Sequence, residues 1–364
     1  MSARGVARAR RVGAAQDPGP LRRSILRWYL KHRRDLPWRL SRDPYAIWVS
    51  EIMLQQTRVE TVIPYYRRFL ERFPSVTSLA KSRERNVLAA WSGLGYYGRA
   101  RNLHDAASCI VREHDGCVPS DLAALRRLPG IGAYTAAAIA SVAFGRPAAA
   151  VDGNVIRVLA RISGWRGRRD SALLRRRVGA LAEGLASGPL PGDWTQALME
   201  LGATVCLPRT PRCEDCPARA VCVARASGDP DRYPEPARAA APKAGRRLLL
   251  FARRNGRVLL VPDTDSPGAG WTLPTAAIAR SAAATARRLA KSHGALGEPR
   301  GPVARFSHRT FSSHFQFEVW EADWRVGKWD GTGRWVAPRS IDKLAVRAPT
   351  LKALRGMCDP GHRR

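Results

Sequence analysis

Acidic residues and long hydrophobic runs are both scarce in this 364-residue sequence. No run approaches the roughly 20 apolar residues that a membrane-spanning helix needs, so we expect no membrane association. Asp and Glu total 30 against 62 Lys and Arg, which leaves a formal net charge of +32. This excess predicts a polyanionic partner, because phosphates neutralised by basic side chains release their condensed counterions. A generally basic proteome would explain only part of it.

Cysteine is also sparse, and its distribution is informative. Of seven cysteines, four lie within 206–222, which favours a metal centre in a reducing compartment over a disulfide framework. Residues 1–20 are mainly Arg, Ala, Gly and Pro, without the apolar segment of a secretory signal. We interpret them as a disordered basic tail, with a transit peptide as the alternative. We expect a cytoplasmic, nucleoid-associated protein of bacterial type.

The most organised stretch spans 128–156, LPGIGAYTAAAIASVAFGRPAAAVDGNVI. It predicts a helix, a hairpin at Gly130 and Gly132, a second helix ending at Gly145, and a third helix capped by Asp152. The helix–hairpin–helix occupies about 121–145. Free backbone N–H groups at such a hairpin favour an anion, here nucleic-acid phosphate. A purely structural turn, with Asp152 as a plain N-cap, is the alternative.

Glu51 lies in a segment, YAIWVSEIMLQQT, that Asp43-Pro44 begins and that is apolar almost all round. A buried carboxyl group resists ionisation, so we expect Glu51 to stay protonated near neutral pH and to act as a general acid. The alternative is a core glutamate paired with an arginine. Glu200 lies in a similar helix.

A glycine turn, WSGLGYYGRAR at 91–101, presents two tyrosines and two arginines. Tyr96 is a candidate to wedge between base pairs, and Arg99 to hold a phosphate. Core tyrosines after a helix end are an equal alternative.

The four clustered cysteines are Cys206, Cys213, Cys216 and Cys222, with six, two and five residues between them. Zinc ribbons and knuckles usually use two close pairs, and this set has one. Four thiolates suit a [4Fe-4S] cluster, with structural zinc as the alternative.

The hydrophobic period changes after 225–245, a Pro- and Ala-rich stretch that predicts a linker. Apolar runs at 247–252 and 257–261 flank Asn255-Gly256, a hairpin signal. A helix over 281–293 and strands near 303–306, 316–322 and 334–336 complete an α/β domain. The predicted fold is therefore multidomain, α then α/β, with a helical domain at 21–224, an α/β domain at 246–345 and a C-terminal tail at 346–364.

These motifs together resemble the MutY-type adenine DNA glycosylases of the helix-hairpin-helix, or endonuclease III, superfamily. The resemblance covers about 24–340 and rests on PWR (37–39), SEIMLQQT (50–57), GLGYYGRARNL (93–103), LPGIGAYTAAAI (128–139), VDGNVIRVLAR (151–161) and the cysteine spacing. It implies an all-α glycosylase domain with an iron–sulfur loop at 206–222, then a Nudix-like domain that recognises the opposite base. The implied enzyme, which we expect to be a monomer, excises adenine opposite 8-oxoguanine or guanine in double-stranded DNA.

The resemblance also implies roles for individual residues. Glu51 would protonate adenine at N7, and Asp152 would stabilise the oxocarbenium-like sugar. Asn154 would orient Asp152 or the water, and Tyr134 would line the pocket. Endonuclease III-type enzymes carry a Schiff-base lysine at the position of Tyr134, so we expect a monofunctional glycosylase. The implied DNA contacts of the helical domain are Gln55, Gln56, Tyr96, Arg99, Gly130 and Gly132.

In the second domain, the family reads 8-oxoguanine with a Phe-Ser-His loop. The matching segment, RTFSSH, is one residue longer, and we assign Phe311, Ser313 and His314. Another FSH triplet at 306–308, or an ordinary strand, is the alternative. The helix at 281–293 contains no acidic residue to hold magnesium, so we expect no pyrophosphatase activity.

Two rival functions stay open. A thymine glycosylase acting on T:G mismatches would share the helical domain and the cluster, but such enzymes usually lack the second domain. A noncatalytic sensor of DNA damage would not need both Glu51 and Asp152.

Overall fold

The computed structural model describes residues 19–236, 243–264, 270–295, 297–310, 313–323 and 333–358. This part of the chain divides into two compact units. One unit contains the described residues up to Ile52 and those from Cys117 to 236. The other contains Met53–Gly116 together with the described residues from 243 onward. None of the described helices has the length and apolar character needed to span a membrane.

Between residues 19 and 226, the regular elements that the structure describes are helices. Their bounds are α1 Gly19–His32, α2 Pro44–Leu54, α3 Val59–Arg72, α4 Val76–Ala80, α5 Glu84–Ala90, α6 Gly98–Glu113, α7 Leu122–Arg127, α8 Ala133–Phe144, α9 Gly153–Ser163, α10 Ala172–Ala186, α11 Pro191–Thr204 and α12 Val223–Ala226. A 3₁₀ helix at Pro37–Arg39 follows α1. The all-α prediction for this region is confirmed.

Helix ends follow the capping residues of the sequence. The Asp43 carboxylate accepts hydrogen bonds from the N–H groups of Tyr45 and Ala46, and Pro44 is the first residue of α2. Gly145 ends α8 in the left-handed region, at φ 64°. Amphipathic α9 then packs its apolar face against α1, α10 and α11 in one core that includes Ile25, Leu159 and Trp194.

The second domain is a mixed sheet with helices. Its elements are β1 Lys243–Arg254, β2 Arg257–Pro262, β3 Trp271–Thr272, β4 Thr275–Ala277, α13 Ala282–Ser292, β5 Arg300–Arg309, β6 Ser313–Asp323, β7 Arg334–Val336 and α14 Ala348–Cys358. The strand order is β3-β2-β1-β6-β5, in which β1 and β6 run parallel, while β4 pairs with β1 and β7 pairs with β2. The predicted hairpin between β1 and β2 is confirmed, because Asn255 and Gly256 both have positive φ.

Two segments differ from the sequence expectation. The stretch predicted as a C-terminal tail contains α14, which buries Ala353 and Leu354 in the same core as Phe317. The stretch predicted as a linker contains a 3₁₀ helix at Pro230–Arg232 and the buried Tyr233, and β1 begins at Lys243. Of the predicted basic tail, residues 1–18 lie outside the described residues, and α1 begins at Gly19.

Candidate active site

Glu51, on the apolar helix α2, is partly exposed and lies beside Tyr134 and Asp152 in the first unit. The Tyr134 hydroxyl group, at the start of α8, hydrogen-bonds to its carboxyl group and lies 3.5 Å from Met199 Sδ. Burial raises the pKa of Glu51 to about 7; the Tyr134 hydrogen bond opposes this rise, and the charge of Asp152 adds to it. A large fraction of Glu51 is therefore protonated at neutral pH, as a general acid requires.

Asp152 lies at the N-terminus of α9 and caps it. Its Oδ1 accepts hydrogen bonds from the N–H groups of Asn154 (2.9 Å) and Val155 (2.7 Å). Its Oδ2 accepts a bond from Asn154 Nδ2 at 2.9 Å. The alternative of a plain N-cap thus describes a real contact, and the same contacts hold the carboxylate in a fixed orientation beside the Glu51 pocket.

Asn154 is itself held by Arg157, a buried residue that the sequence interpretation did not single out. Arg157 Nη2 donates to Asn154 Oδ1 (2.9 Å) and to the Gly202 carbonyl (2.8 Å), and its Nε donates to the Cys206 carbonyl (2.8 Å). A side chain on Gly202 would collide with Asn154, because an added Cβ would lie 2.7 Å from Asn154 Cβ. A chain of hydrogen bonds therefore connects Asp152 to the backbone of the cysteine segment.

Glu200 is a buried glutamate with a structural role, and its surroundings differ from those of Glu51. Burial alone would raise the pKa of Glu200, but hydrogen bonds from Arg34 and Arg39 lower it to about 2. The Nη2 atoms of both arginines lie 2.8 Å from Glu200 Oε2. Glu200 is therefore a paired carboxylate that fastens the Pro37–Arg39 turn to α11, whereas the charged neighbour that affects Glu51 is another carboxylate.

The hairpin between α7 and α8 leaves its backbone accessible. Gly130 has φ 75°, Gly132 is the N-cap of α8, and both glycines are exposed. Gly132 makes no side-chain cap, so no side chain of the N-cap residue competes with an anion at the positive end of the α8 dipole. The structure thus forms the predicted helix–hairpin–helix, with an exposed hairpin backbone.

Gln56 and Tyr96, in the second unit, sit at the tips of two turns with left-handed backbones, at φ 56° and 50°. Both side chains are exposed, and Gln55 precedes Gln56 at the end of α2. Left-handed backbone is unfavourable for residues with a Cβ, so the surrounding structure must hold both turns.

Arg99 holds both turns, whereas the sequence predicted that it binds a phosphate. Its Nη1 donates to the carbonyls of Met53 (2.9 Å) and Gln55 (2.5 Å), and its Nη2 to Thr57 Oγ1 and to the Gly95 carbonyl, both at 3.2 Å. Burial lowers the pKa of Arg99 to about 10, which leaves it charged at neutral pH. The guanidinium therefore ties the two turns together, because it donates to carbonyl and hydroxyl oxygens of both.

The cysteine prediction corresponds to one cavity. Cys206, Cys213, Cys216 and Cys222 line this cavity together with Arg161, whose Nη1 lies 3.5 Å from Cys206 Sγ. Within the described residues, no group of three or more His, Cys, Asp or Glu side chains is placed to hold a single metal ion. Four thiols around a cavity fit a multi-atom cluster better than one zinc ion, whose ligands would converge to about 2.3 Å.

Two of the assigned lesion-reading residues, Ser313 and His314, are the first residues of β6. Phe311 lies outside the described residues. Ser313 Oγ is 2.7 Å from Thr310 Oγ1, and His314 pairs with Arg309 in the sheet. Phe306, from the other FSH triplet, stacks on Phe317 at 5.3 Å, as a residue of the domain core does.

Comparison with known proteins gives consistent matches. The family model of HhH-GPD superfamily base excision DNA repair proteins matches residues 49–182. Adenine DNA glycosylase of Rattus norvegicus is 46% identical over 215 residues, which are 57% of this chain and 42% of that protein. The chain thus spans less than half the length of this relative.

Two solved structures match different parts of the chain. A thermostable thymine-DNA glycosylase is 32% identical with a TM-score of 0.52, covering 57% of this chain and 98% of that one. A Nudix hydrolase from M. smegmatis is 21% identical with a TM-score of 0.25, covering 34% of this chain and 90% of that one. The match to the thymine-DNA glycosylase and the match to the family model together show that the chain belongs to the HhH-GPD superfamily of base excision DNA repair proteins.

Proposed function

We propose that this protein is a monomeric adenine DNA glycosylase that hydrolyses the N-glycosidic bond of adenine opposite 8-oxoguanine or guanine in double-stranded DNA. The observation that carries the proposal is the shared pocket of Glu51, Tyr134 and Asp152, in which burial raises the pKa of Glu51 to about 7, so that about half of it is protonated at neutral pH. The name of the rat relative supports adenine as the target base.

The chemistry divides between the two carboxyl groups. Adenine is a poor leaving group, so Glu51 protonates N7 of a flipped adenine as the glycosidic bond breaks. The sugar becomes oxocarbenium-like, and Asp152, oriented by Asn154 and the α9 backbone, stabilises its positive charge. Ionised Glu51 then guides the attacking water. Each carboxyl group thereby takes the role that its surroundings favour.

Strand cleavage is not part of the proposed reaction. A lyase step needs an amine that forms a Schiff base with the abasic sugar. The stretch 128–156 contains no lysine, and Tyr134 occupies the pocket position that the resemblance assigns to that amine. We therefore propose a monofunctional enzyme.

DNA binding is proposed at three places. Backbone N–H groups of Gly130 and Gly132 bind phosphate, and Gln56 and Tyr96 wedge into the base stack, with Gln55 beside them. Ser313 and His314 contact the base opposite the adenine. The +32 net charge supplies the nonspecific attraction that all three contacts need.

We propose a [4Fe-4S] cluster bound by Cys206, Cys213, Cys216 and Cys222. Burial raises the pKa of the Cys216 thiol to about 12, so bound iron would have to supply the charge that stabilises its thiolate. The cluster would be structural and would shape the exposed loop of Arg209 and Arg212. Iron content and absorbance near 400 nm would support it over zinc.

The second candidate is a thymine glycosylase, favoured by the 32% identity to the thymine enzyme. A single-turnover assay on duplexes with A opposite 8-oxoguanine, A opposite G and T opposite G, each with and without alkali, separates the two. We expect the A strand to break only after alkali. A cut T strand would favour the thymine enzyme, and cleavage without alkali would contradict the monofunctional mechanism.

A further inference from the structure

The Val346 peptide, which precedes α14, forms hydrogen bonds with two side chains from the turn that presents Tyr96. The Tyr97 hydroxyl group donates a buried hydrogen bond of 2.7 Å to the Val346 carbonyl. The Val346 N–H donates in turn to Ser92 Oγ at 3.3 Å. Tyr97 is only 4% exposed, so its hydroxyl group is isolated from competing water. All three residues belong to the second unit.

On its other side, Val346 is fixed to the α/β domain. Its neighbours bracket Trp271, whose N–H donates to the Ala345 carbonyl (2.7 Å) and whose carbonyl accepts from the Arg347 N–H (3.0 Å). Gly270 lets this segment approach closely, since an added Cβ there would lie 2.1 Å from the Ala345 oxygen. The Val346 peptide is therefore a rigid part of the domain.

On the helical side, these contacts end at Tyr97, the residue that follows Tyr96 in the chain. Tyr96 is 41% exposed and adopts a left-handed backbone that a bulky residue keeps only under constraint. Arg99 constrains the turn through the Gly95 carbonyl. Tyr97 constrains the turn as well, because its hydroxyl group is hydrogen-bonded to the Val346 carbonyl.

We propose that Tyr97 and Ser92 are positioning residues that couple the α/β domain to the Tyr96 turn. Contact of that domain with the base opposite the adenine then stabilises the conformation in which Tyr96 enters the base stack. The inference deepens the proposed function, because it gives the second domain a route to base flipping as well as to binding.

Hydrogen exchange on the DNA-free full chain tests the coupling without any need for activity. Tyr97→Phe removes one hydroxyl group and keeps the buried ring, and Ser92→Ala removes the other partner. Tyr66→Phe, a 5% exposed tyrosine on α3, is the matched control. We expect Tyr97→Phe to speed amide exchange at both 92–97 and 344–347 by about tenfold, and Tyr66→Phe to leave both unchanged. Unchanged exchange at 344–347 would overturn the coupling.

Single-turnover rates test its consequence. Tyr97→Phe should slow adenine release opposite 8-oxoguanine about five- to tenfold and opposite guanine less than about twofold, so that the ratio of the two rates falls. Affinity for a duplex with an uncleavable 2′-fluoro adenosine should change less than about twofold. Equal slowing on both duplexes would reduce Tyr97 to a purely structural residue and refute the proposal. If the wild-type chain releases no adenine, the proposed function fails, while hydrogen exchange still decides the coupling.

Discussion

Removal of a single hydroxyl group, by Tyr134→Phe, tests how the pocket sets the protonation of Glu51. Burial raises the pKa of Glu51 to about 7, although the Tyr134 hydrogen bond favours the ionised form. A hydrogen bond to a charged group contributes about 1.5–3 kcal/mol, and a change of one pKa unit corresponds to about 1.4 kcal/mol. Loss of this bond should therefore move the protonation midpoint of Glu51 up by about one to two pH units.

The assay is the pH dependence of single-turnover adenine release from a duplex with A opposite 8-oxoguanine, between about pH 5 and 9. A general acid works in its protonated form, so the wild-type rate should fall as the pH rises through about 7. Tyr134→Phe should keep its rate about one to two pH units further into the alkaline range. Its rate at low pH should change little, because Glu51 is protonated there in both proteins.

Tyr45→Phe is the matched control, because Tyr45 is a buried tyrosine at the start of the same helix, 4% exposed. Its profile should follow the wild type. If the alkaline limb of Tyr134→Phe stays in place or moves to lower pH, the Tyr134 hydroxyl group does not stabilise ionised Glu51, and our account of the pocket is wrong.

The site makes three further predictions. Because folding raises the pKa of Glu51 from 4.5 to about 7, the free energy of unfolding should fall by up to about 3 kcal/mol as the pH rises over this range. Glu51→Gln should therefore raise the Tm at pH 8, and raise it much less at pH 4.5. A variant with the wild-type Tm at pH 8 would contradict the desolvation of Glu51. Gly202→Ala should slow single-turnover excision about tenfold or more, because its Cβ would displace Asn154 from Asp152; a normal rate in the folded variant would separate Asn154 from catalysis. Arg99→Met should speed amide exchange in the turns of Gln56 and Tyr96 and leave the salt dependence of DNA binding unchanged. If exchange in these turns stays as slow as in the wild type, and the slope of log affinity against log salt concentration falls by about 1, Arg99 binds a phosphate after all.

Local signals in the sequence were sufficient for most element boundaries. Capping by Asp43 and Asp152, the glycine that ends α8 and the Asn255-Gly256 hairpin each depend on a few neighbouring residues, and the structure confirms all four. The desolvation that raises the pKa of Glu51 was also predictable from its helix alone, because α2 is apolar on nearly every side.

Contacts between distant segments could not be predicted from neighbouring residues in the same way. Arg157 reaches Cys206, 49 residues away, from a helix whose periodicity shows only an apolar face. Arg99 reaches Gln55, 44 residues away, and its role changes from phosphate binding to support of the two turns. Helix α14 was not predicted from the sequence, because its apolar residues are explained only by their packing against the sheet.

The central claim is that Asp152 stabilises the charge that develops when the adenine leaves, and Asp152→Asn tests it most directly. Asparagine is also a good N-cap, so α9 should remain folded. The measurement is the single-turnover rate of adenine release opposite 8-oxoguanine, together with affinity for the same duplex carrying the uncleavable adenosine. We predict a rate lower by roughly three orders of magnitude with affinity changed by less than about threefold. A rate near the wild-type value would contradict the mechanism, and an intact rate with lost affinity would favour a sensor of DNA damage.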